Sequence, residues 1–305
     1  MINRFKYMIL AAGVISIVLI SVSIHDPSTP TLFNLTGLKY TDIVHGLFYP
    51  IFSPSPNKIK ERWFNESTYY LFRDGKYKCP VPYVDYKFEY PPLIGFLWYI
   101  STCSGFTIGS NLKEAVSIHY YINSFILVFF YLLMTIALIR LMNKTNSGVK
   151  NEKTTMIFRS IMLVSPSILM YLIYNWDIIA SSLAVIGVLL YIERRHFTSG
   201  LFLGLSISAK ILTAGIALFV LTKHLMHSRK DVALKYILGL AIACLIPFIA
   251  LHVVSPIGFQ EFINHHLKWY CENCIYMIFI RDIWSGLHSN IYYSLMTFGV
   301  FLFII

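Results

Sequence analysis

Apolar stretches of roughly the length that a helix needs to cross a bilayer, about 20 residues, recur along the whole chain. They fall at residues 8–24, 91–108, 117–139, 156–174, 178–192, 200–222, 232–254 and 291–305. Hydrocarbon offers no partner to a free peptide group, so a segment that enters it must satisfy its own backbone as a helix. An all-α integral membrane protein is therefore expected. Composition agrees: 56% of the 305 residues are apolar and 13% charged, whereas a soluble domain carries about 25% charged residues. The net charge of +10 is dispersed among the apolar runs rather than gathered on one face. That excludes a nucleic-acid-binding domain, and the apolar excess excludes a cytosolic enzyme or a disordered tail. The first run follows Arg4 and Lys6 and has no small-x-small cleavage motif after it, so it reads as a retained anchor. The last run ends the sequence at Ile305, which implies a truncated C-terminus or a short final helix.

If every run crossed the membrane, the basic stretch from Arg140 to Arg159 would lie opposite Arg4 and Lys6, against the positive-inside tendency. Pro91-Pro92 opens one run, and Ser206, Ser208 and Lys210 interrupt another; both are natural broken or re-entrant helices. Treated as hairpins, they leave thirteen bases on the cytoplasmic side against Glu152, Glu193 and Asp231, while the outer side holds eleven acids and ten bases. The chain then reads as a single membrane domain over residues 1–305, with a large outer loop at 25–90 and a second at 255–290. Within the first loop, Ile59, Trp63, Phe64, Tyr70 and Leu71 recur at helical spacing among charged neighbours. That pattern suits a helix in the headgroup plane, or an ordinary packed loop helix.

Acids at a membrane boundary lose hydration, so each needs a reason to be there. Asp42 sits in Lys39-Tyr40-Thr41-Asp42-Ile43, Glu89 immediately precedes Tyr90-Pro91-Pro92-Leu93, and Asp177 closes Tyr174-Asn175-Trp176-Asp177. All three fall on the outer side. A helix cap or a solvated charge explains any one alone, and Asp177 suits a cap because an apolar helix follows it. Lys210 lies in the middle of an apolar run, where an ammonium costs about 2.5–3.5 kcal/mol. That favours a polar cavity over a lipid-facing position, although a lysine near an interface also snorkels.

Taken in order, Thr41-Asp42-Ile43, Phe88-Glu89-Tyr90-Pro91-Pro92-Leu93, Tyr174-Asn175-Trp176-Asp177 and Gly200-Leu201-Phe202-Leu203-Gly204-Leu205 up to Lys210 resemble the GT-C polytopic glycosyltransferases. The likeness is to the family 87 type of polyprenol-phosphate-mannose-dependent mannosyltransferases. It implies a GT-C-like polytopic helical bundle with a large first outer loop and broken or re-entrant helices. It also implies transfer of a hexose, mannose, from a polyprenyl-phosphate donor to a glycan or lipid acceptor, with inversion, on the extracytoplasmic or lumenal face. The acidic residue of the first outer loop that serves such enzymes as base matches Asp42. Glu89 and Asp177 become acceptor-orienting candidates, and Lys210 and Arg281 candidates for the donor phosphate. Tyr90, Trp176 and Trp63 would stack on sugar or line the polyprenyl chain, though aromatic belts at membrane boundaries account for them too. The sequence has no Gly-rich phosphate loop for a nucleotide sugar. No cofactor is expected, and no metal is required, since side chains can neutralise a lipid monophosphate.

Cys271-Glu272-Asn273-Cys274 after His265-His266 lacks the second spaced pair of a zinc site, so a disulfide among Cys79, Cys271 and Cys274 is the preferred reading. The main rival function is a transporter or flippase of a lipid-linked sugar, which would place ionisable groups deep in several spans; here Lys210 is nearly alone at depth. A noncatalytic subunit that binds lipid-linked sugar would leave the acids of the first outer loop unexplained.

Overall fold

A computed structural model describes residues 2–31, 36–145, 163–226 and 230–268. Among these residues the chain is all-α, its extended pairing limited to isolated bridges Trp63↔Tyr86 and Pro82↔Tyr86. The main helices are α1 (Ile2–His25), α2 (Glu66–Arg73), α3 (Pro92–Ile108), α4 (Leu112–Thr145), α5 (Pro166–Tyr171), α6 (Asp177–Ile192), α7 (His196–Ala209), α8 (Ala214–Met226), α9 (Lys230–Val254) and α10 (Pro256–Lys268). Three stretches, Met8–His25, Leu112–Lys144 and Lys230–Val254, are long and apolar enough to cross a membrane. Three shorter apolar helical stretches, Pro92–Ile108, Asp177–Ile192 and Ile211–Met226, join the bundle, and α7 packs between α6 and α9.

Side-chain contacts give the bundle two ends. At one end Tyr120 donates to the carbonyl of Val22 (2.6 Å) and Tyr121 to Asp26 (2.6 Å), while Trp176 reaches Asn123. At the other, Lys144 pairs with Glu193 at 3.1 Å. The helices α4 and α6 therefore run in the same direction. The ring of His196, at the start of α7, lies 4.8 Å from that of His224 near the end of α8. Those two helices consequently fold back on one another, with the turn at Lys210 followed by a 3₁₀ segment, Ile211–Thr213. The apolar run 200–222 is thus a broken hairpin tipped by Lys210. Seating α7 against α9 depends on small residues: a side chain at Gly200 would meet the Tyr236 carbonyl, and one at Gly239 the Phe197 carbonyl.

Three expectations are corrected. The run opening at Pro91-Pro92 is a continuous 17-residue helix rather than a broken one, because proline is accommodated at a helix's first position. It pairs with the first turns of α4, where the Trp98 and His119 rings are 4.6 Å apart. The described part of run 156–174 is interrupted at Ser165 before the short α5. The proposed headgroup helix is two pieces, Ile59–Arg62 and α2, separated at Trp63. Run 291–305 lies outside the described residues.

The described part of the loop expected at 25–90 is a packed lobe whose centre is aromatic. Phe48, Phe52, Trp63, Tyr86, Trp98 and Phe106 pack ring against ring. Burying an indole requires a partner for its N–H: Trp63 donates to the Ile51 carbonyl and Trp98 to the Tyr86 hydroxyl, both at 2.8 Å. Trp63, at 2% exposure, belongs to this core and offers no face to a sugar. Cys79 is bonded to Cys103 of α3, tying the lobe to the bundle. The expected pairing is therefore corrected, with Cys271 and Cys274 outside the described residues. The lobe is also held by α10, whose preceding residue Ser255 donates to the Tyr83 carbonyl at 2.6 Å. Tyr83 adopts a left-handed backbone, φ 64°, a conformation uncommon for a bulky residue and associated with functional regions.

Candidate active site

Asp42 opens a π-helical turn, Asp42–Phe48, that is capped by the Thr41 hydroxyl accepting from the Val44 N–H at 3.1 Å. Ile43, Val44, Leu47 and Phe48 of this turn are buried. That burial clamps the backbone from one side and leaves the carboxylate on the other. Such π-turns are often found at functional positions. The Asp42 N–H donates to the Tyr174 carbonyl at 2.9 Å, joining the loop to the segment just before α6. A Cβ on Gly46 would come within 3.0 Å of the Tyr40 hydroxyl and 3.3 Å of Asp42 Oδ1. Glycine at this position gives both groups room over the turn.

The Tyr90 hydroxyl donates to Asp42 Oδ2 at 3.1 Å, across 48 residues of sequence. The Tyr40 hydroxyl lies close to the carboxylate, both groups standing over Gly46. Burial raises the Asp42 pKa above its ordinary value, and the charge of nearby Asp177 adds to this; the Tyr90 and Tyr40 hydroxyls and Lys210 act in the opposite direction. Burial and the adjacent carboxylate push the Tyr40 hydroxyl up to about 12, so it remains a donor at neutral pH. The Asp177 carboxylate is paired with the Lys210 ammonium, and the two side chains keep 44% and 40% of their surface accessible. A cation and an accessible acid therefore stand beside the partly buried carboxylate.

Tyr90 is held from three directions. Its carbonyl accepts from the Tyr83 hydroxyl at 2.5 Å, its neighbour Pro91 caps α3, and its ring meets Trp176 edge-on at 4.8 Å. Trp176 in turn donates its indole N–H to Asn123 Oδ1 at 2.9 Å. At 2% exposure Trp176 is a wall behind Tyr90, which corrects its assignment as a sugar-stacking platform. Asp177 begins α6, and its own N–H is taken by Asn175 Oδ1 at 2.9 Å.

Glu89 faces another direction, toward α10. Its pKa is raised by burial, with Arg62 and His266 opposing and Asp42 adding to the shift. His265 Nε2 stands 3.9 Å from its carboxylate, and burial lowers the pKa of that imidazole. The structure thus gathers Asp42, Tyr90, Asp177 and Lys210, with Trp176 behind them and Glu89 on the adjoining face. Arg281 lies outside the described residues. Among the described residues no group of His, Cys, Asp and Glu has the arrangement of a metal site. Tyr40, Tyr83 and Asn123 are contributors that the sequence reading did not select. Of these, Asn123 carried a signal, a lone amide within a long apolar run.

No curated protein and no solved structure matches the chain. Residues 88–292 match the sequence profile described as Glycosyltransferase family 87, a stretch that contains Glu89, Tyr90, Trp176, Asp177, Lys210 and Arg281 and begins after Asp42. The match covers more than half of the chain, and the protein, a membrane-embedded helical transferase of sugars, belongs to glycosyltransferase family 87.

Proposed function

We propose that the protein transfers a hexose, mannose, from a polyprenyl-phosphate donor to a hydroxyl of a glycan or lipid acceptor, with inversion, on the extracytoplasmic or lumenal face. The observation that carries this reading is the meeting of a partly buried carboxylate, Asp42, held by the Tyr90 hydroxyl, with the half-exposed Asp177–Lys210 pair. Asp42 is the base: it takes the acceptor hydroxyl's proton as that oxygen attacks the anomeric carbon from the face opposite the phosphate. The C–O bond to phosphate breaks as the new glycosidic bond forms, so one displacement inverts the centre. A carboxyl pKa raised by burial suits the role, because the basicity of a carboxylate rises with its pKa.

The departing polyprenyl phosphate gains negative charge, and a fixed cation lowers the barrier to its departure. Lys210 fills that role at the hairpin tip, with Asp177 holding its ammonium in place before the donor arrives. Arg281 is the second candidate for the phosphate. The acid partners and tyrosines position hydroxyls, and Tyr90 aligns the carboxylate of Asp42.

The experiment is transfer from polyprenyl-phosphate-mannose by membranes containing the wild type or Asp42→Asn. The substitution keeps the shape of the side chain and removes its basicity, so turnover should drop about 10²–10⁴-fold. Equal transfer by both proteins removes Asp42 as base. In the same assay Lys210→Ala should raise the donor KM, and unchanged donor kinetics would take Lys210 out of the site.

A further inference from the structure

Where α10 packs against the outer lobe, a cleft of about 220 Å³ opens beside Glu89. One wall comes from the lobe, with Glu61, Arg62 and Lys87; the other comes from α10, with Glu261 and His265. Phe88, buried in the aromatic core, lies at its base. Charges cross the seam in pairs, Lys87 with Glu261 at 3.2 Å and His265 with Glu89 at 3.9 Å. None of these contacts was needed to explain the Asp42 centre.

We infer that this cleft is the subsite for the sugar ring of a neutral carbohydrate acceptor, which rests on the donor and acceptor reading proposed above. Its chemistry separates the two substrates. Glu61, Glu89 and Glu261 would repel a lipid phosphate, whereas carboxylates alternating with Arg62 and Lys87 accept from and donate to vicinal hydroxyls. The volume is below the roughly 300–1,000 Å³ of pockets for drug-sized ligands, and it suits one sugar ring better than a polyprenyl chain. Its position is right as well. Glu89 adjoins Tyr90 in sequence and lies within electrostatic reach of Asp42. An acceptor that extends from a ring held there past Tyr90 can then bring a hydroxyl to the Asp42 carboxylate, while the donor phosphate approaches Lys210.

The test uses Glu61→Gln and Glu261→Gln, which leave Asp42, Tyr90, Asp177 and Lys210 intact. Both proteins should fold. The Lys87–Glu261 pair is partly exposed and contributes little to stability, and Ser255, through its bond to Tyr83, keeps α10 docked. With octyl mannoside and octyl glucoside as acceptors and polyprenyl-phosphate-mannose as donor, each substitution should raise the acceptor KM roughly tenfold or more. The donor KM and the turnover at saturating acceptor should stay near wild type. An unchanged acceptor KM, or a rise confined to the donor KM, overturns the assignment.

Saturation-transfer NMR of the two octyl glycosides on the intact protein in detergent supplies a readout independent of turnover. Binding to the wild type that weakens in both variants supports the cleft even if no mannose is transferred, in which case only the proposed polyprenyl-phosphate-mannose donor fails. Binding that is absent from the wild type, or equal in all three proteins, overturns the cleft assignment whatever the activity.

Discussion

Asp42 is tuned by a few neighbours whose contributions have opposite signs. The Tyr90 hydrogen bond and the nearby Tyr40 hydroxyl favour the ionised form, while burial and Asp177 favour the protonated one. Tyr90→Phe removes one stabilising bond and leaves the burial, so the pKa of Asp42 moves further up. Because a base acts only when ionised, the acid limb of the kcat/KM–pH profile should shift to higher pH, and activity at neutral pH should decline. Lys210→Met shifts the same limb in the same direction by removing a positive charge. A profile in Tyr90→Phe that coincides with wild type would show that the hydrogen bond does not tune the carboxylate. The residues brought together here were legible one at a time, since acids and a lysine stand out against apolar surroundings. The supports were not. Tyr83 carries no local signal for a left-handed backbone, and the bond from Trp176 to Asn123 joins positions 53 residues apart.

The π-turn and the hairpin show how backbone geometry delivers those groups. At Gly46 the Asp42 carboxylate and Tyr40 hydroxyl lie over the turn, so Gly46→Ala should displace both and reduce turnover well beyond its effect on folding. Steady-state rates measured beside a thermal melt separate the two effects. Gly239→Ala tests packing instead: its new methyl would meet the Phe197 carbonyl on α7, a backbone atom that cannot step aside without moving the helix. Overpacking of this kind costs about 1–3 kcal/mol, and the loss should appear as a lower melting temperature of the purified protein. The break at Lys210 was visible in the sequence because polar residues interrupt an apolar run. The prolines at residues 91 and 92 suggested another break, and they instead start α3, since the missing N–H falls where a helix has no internal partner for it.

Across the molecule, the Lys144–Glu193 end of the bundle and the Asp42 end lie on opposite sides if the charge pattern sets the orientation. Single cysteines introduced at Glu66 and at Glu193, in a background lacking the native thiols, should then label from opposite faces of sealed vesicles. Labelling of both from one face would reverse the placement of the site. The Cys79–Cys103 link joins the lobe to α3; replacing both cysteines with serine should lower stability by about 2–4 kcal/mol, read from thermal melts of wild type and variant. Membrane class, helical architecture and the acids worth testing follow from local chemistry, because hydrocarbon penalises every unpaired peptide group and every charge wherever it occurs along the chain. The companions of those acids depend on folding. Tyr90 reaches Asp42, Lys210 reaches Asp177 and Cys79 reaches Cys103 only after distant helices have packed, and no periodicity within one segment encodes which distant segment will lie beside it.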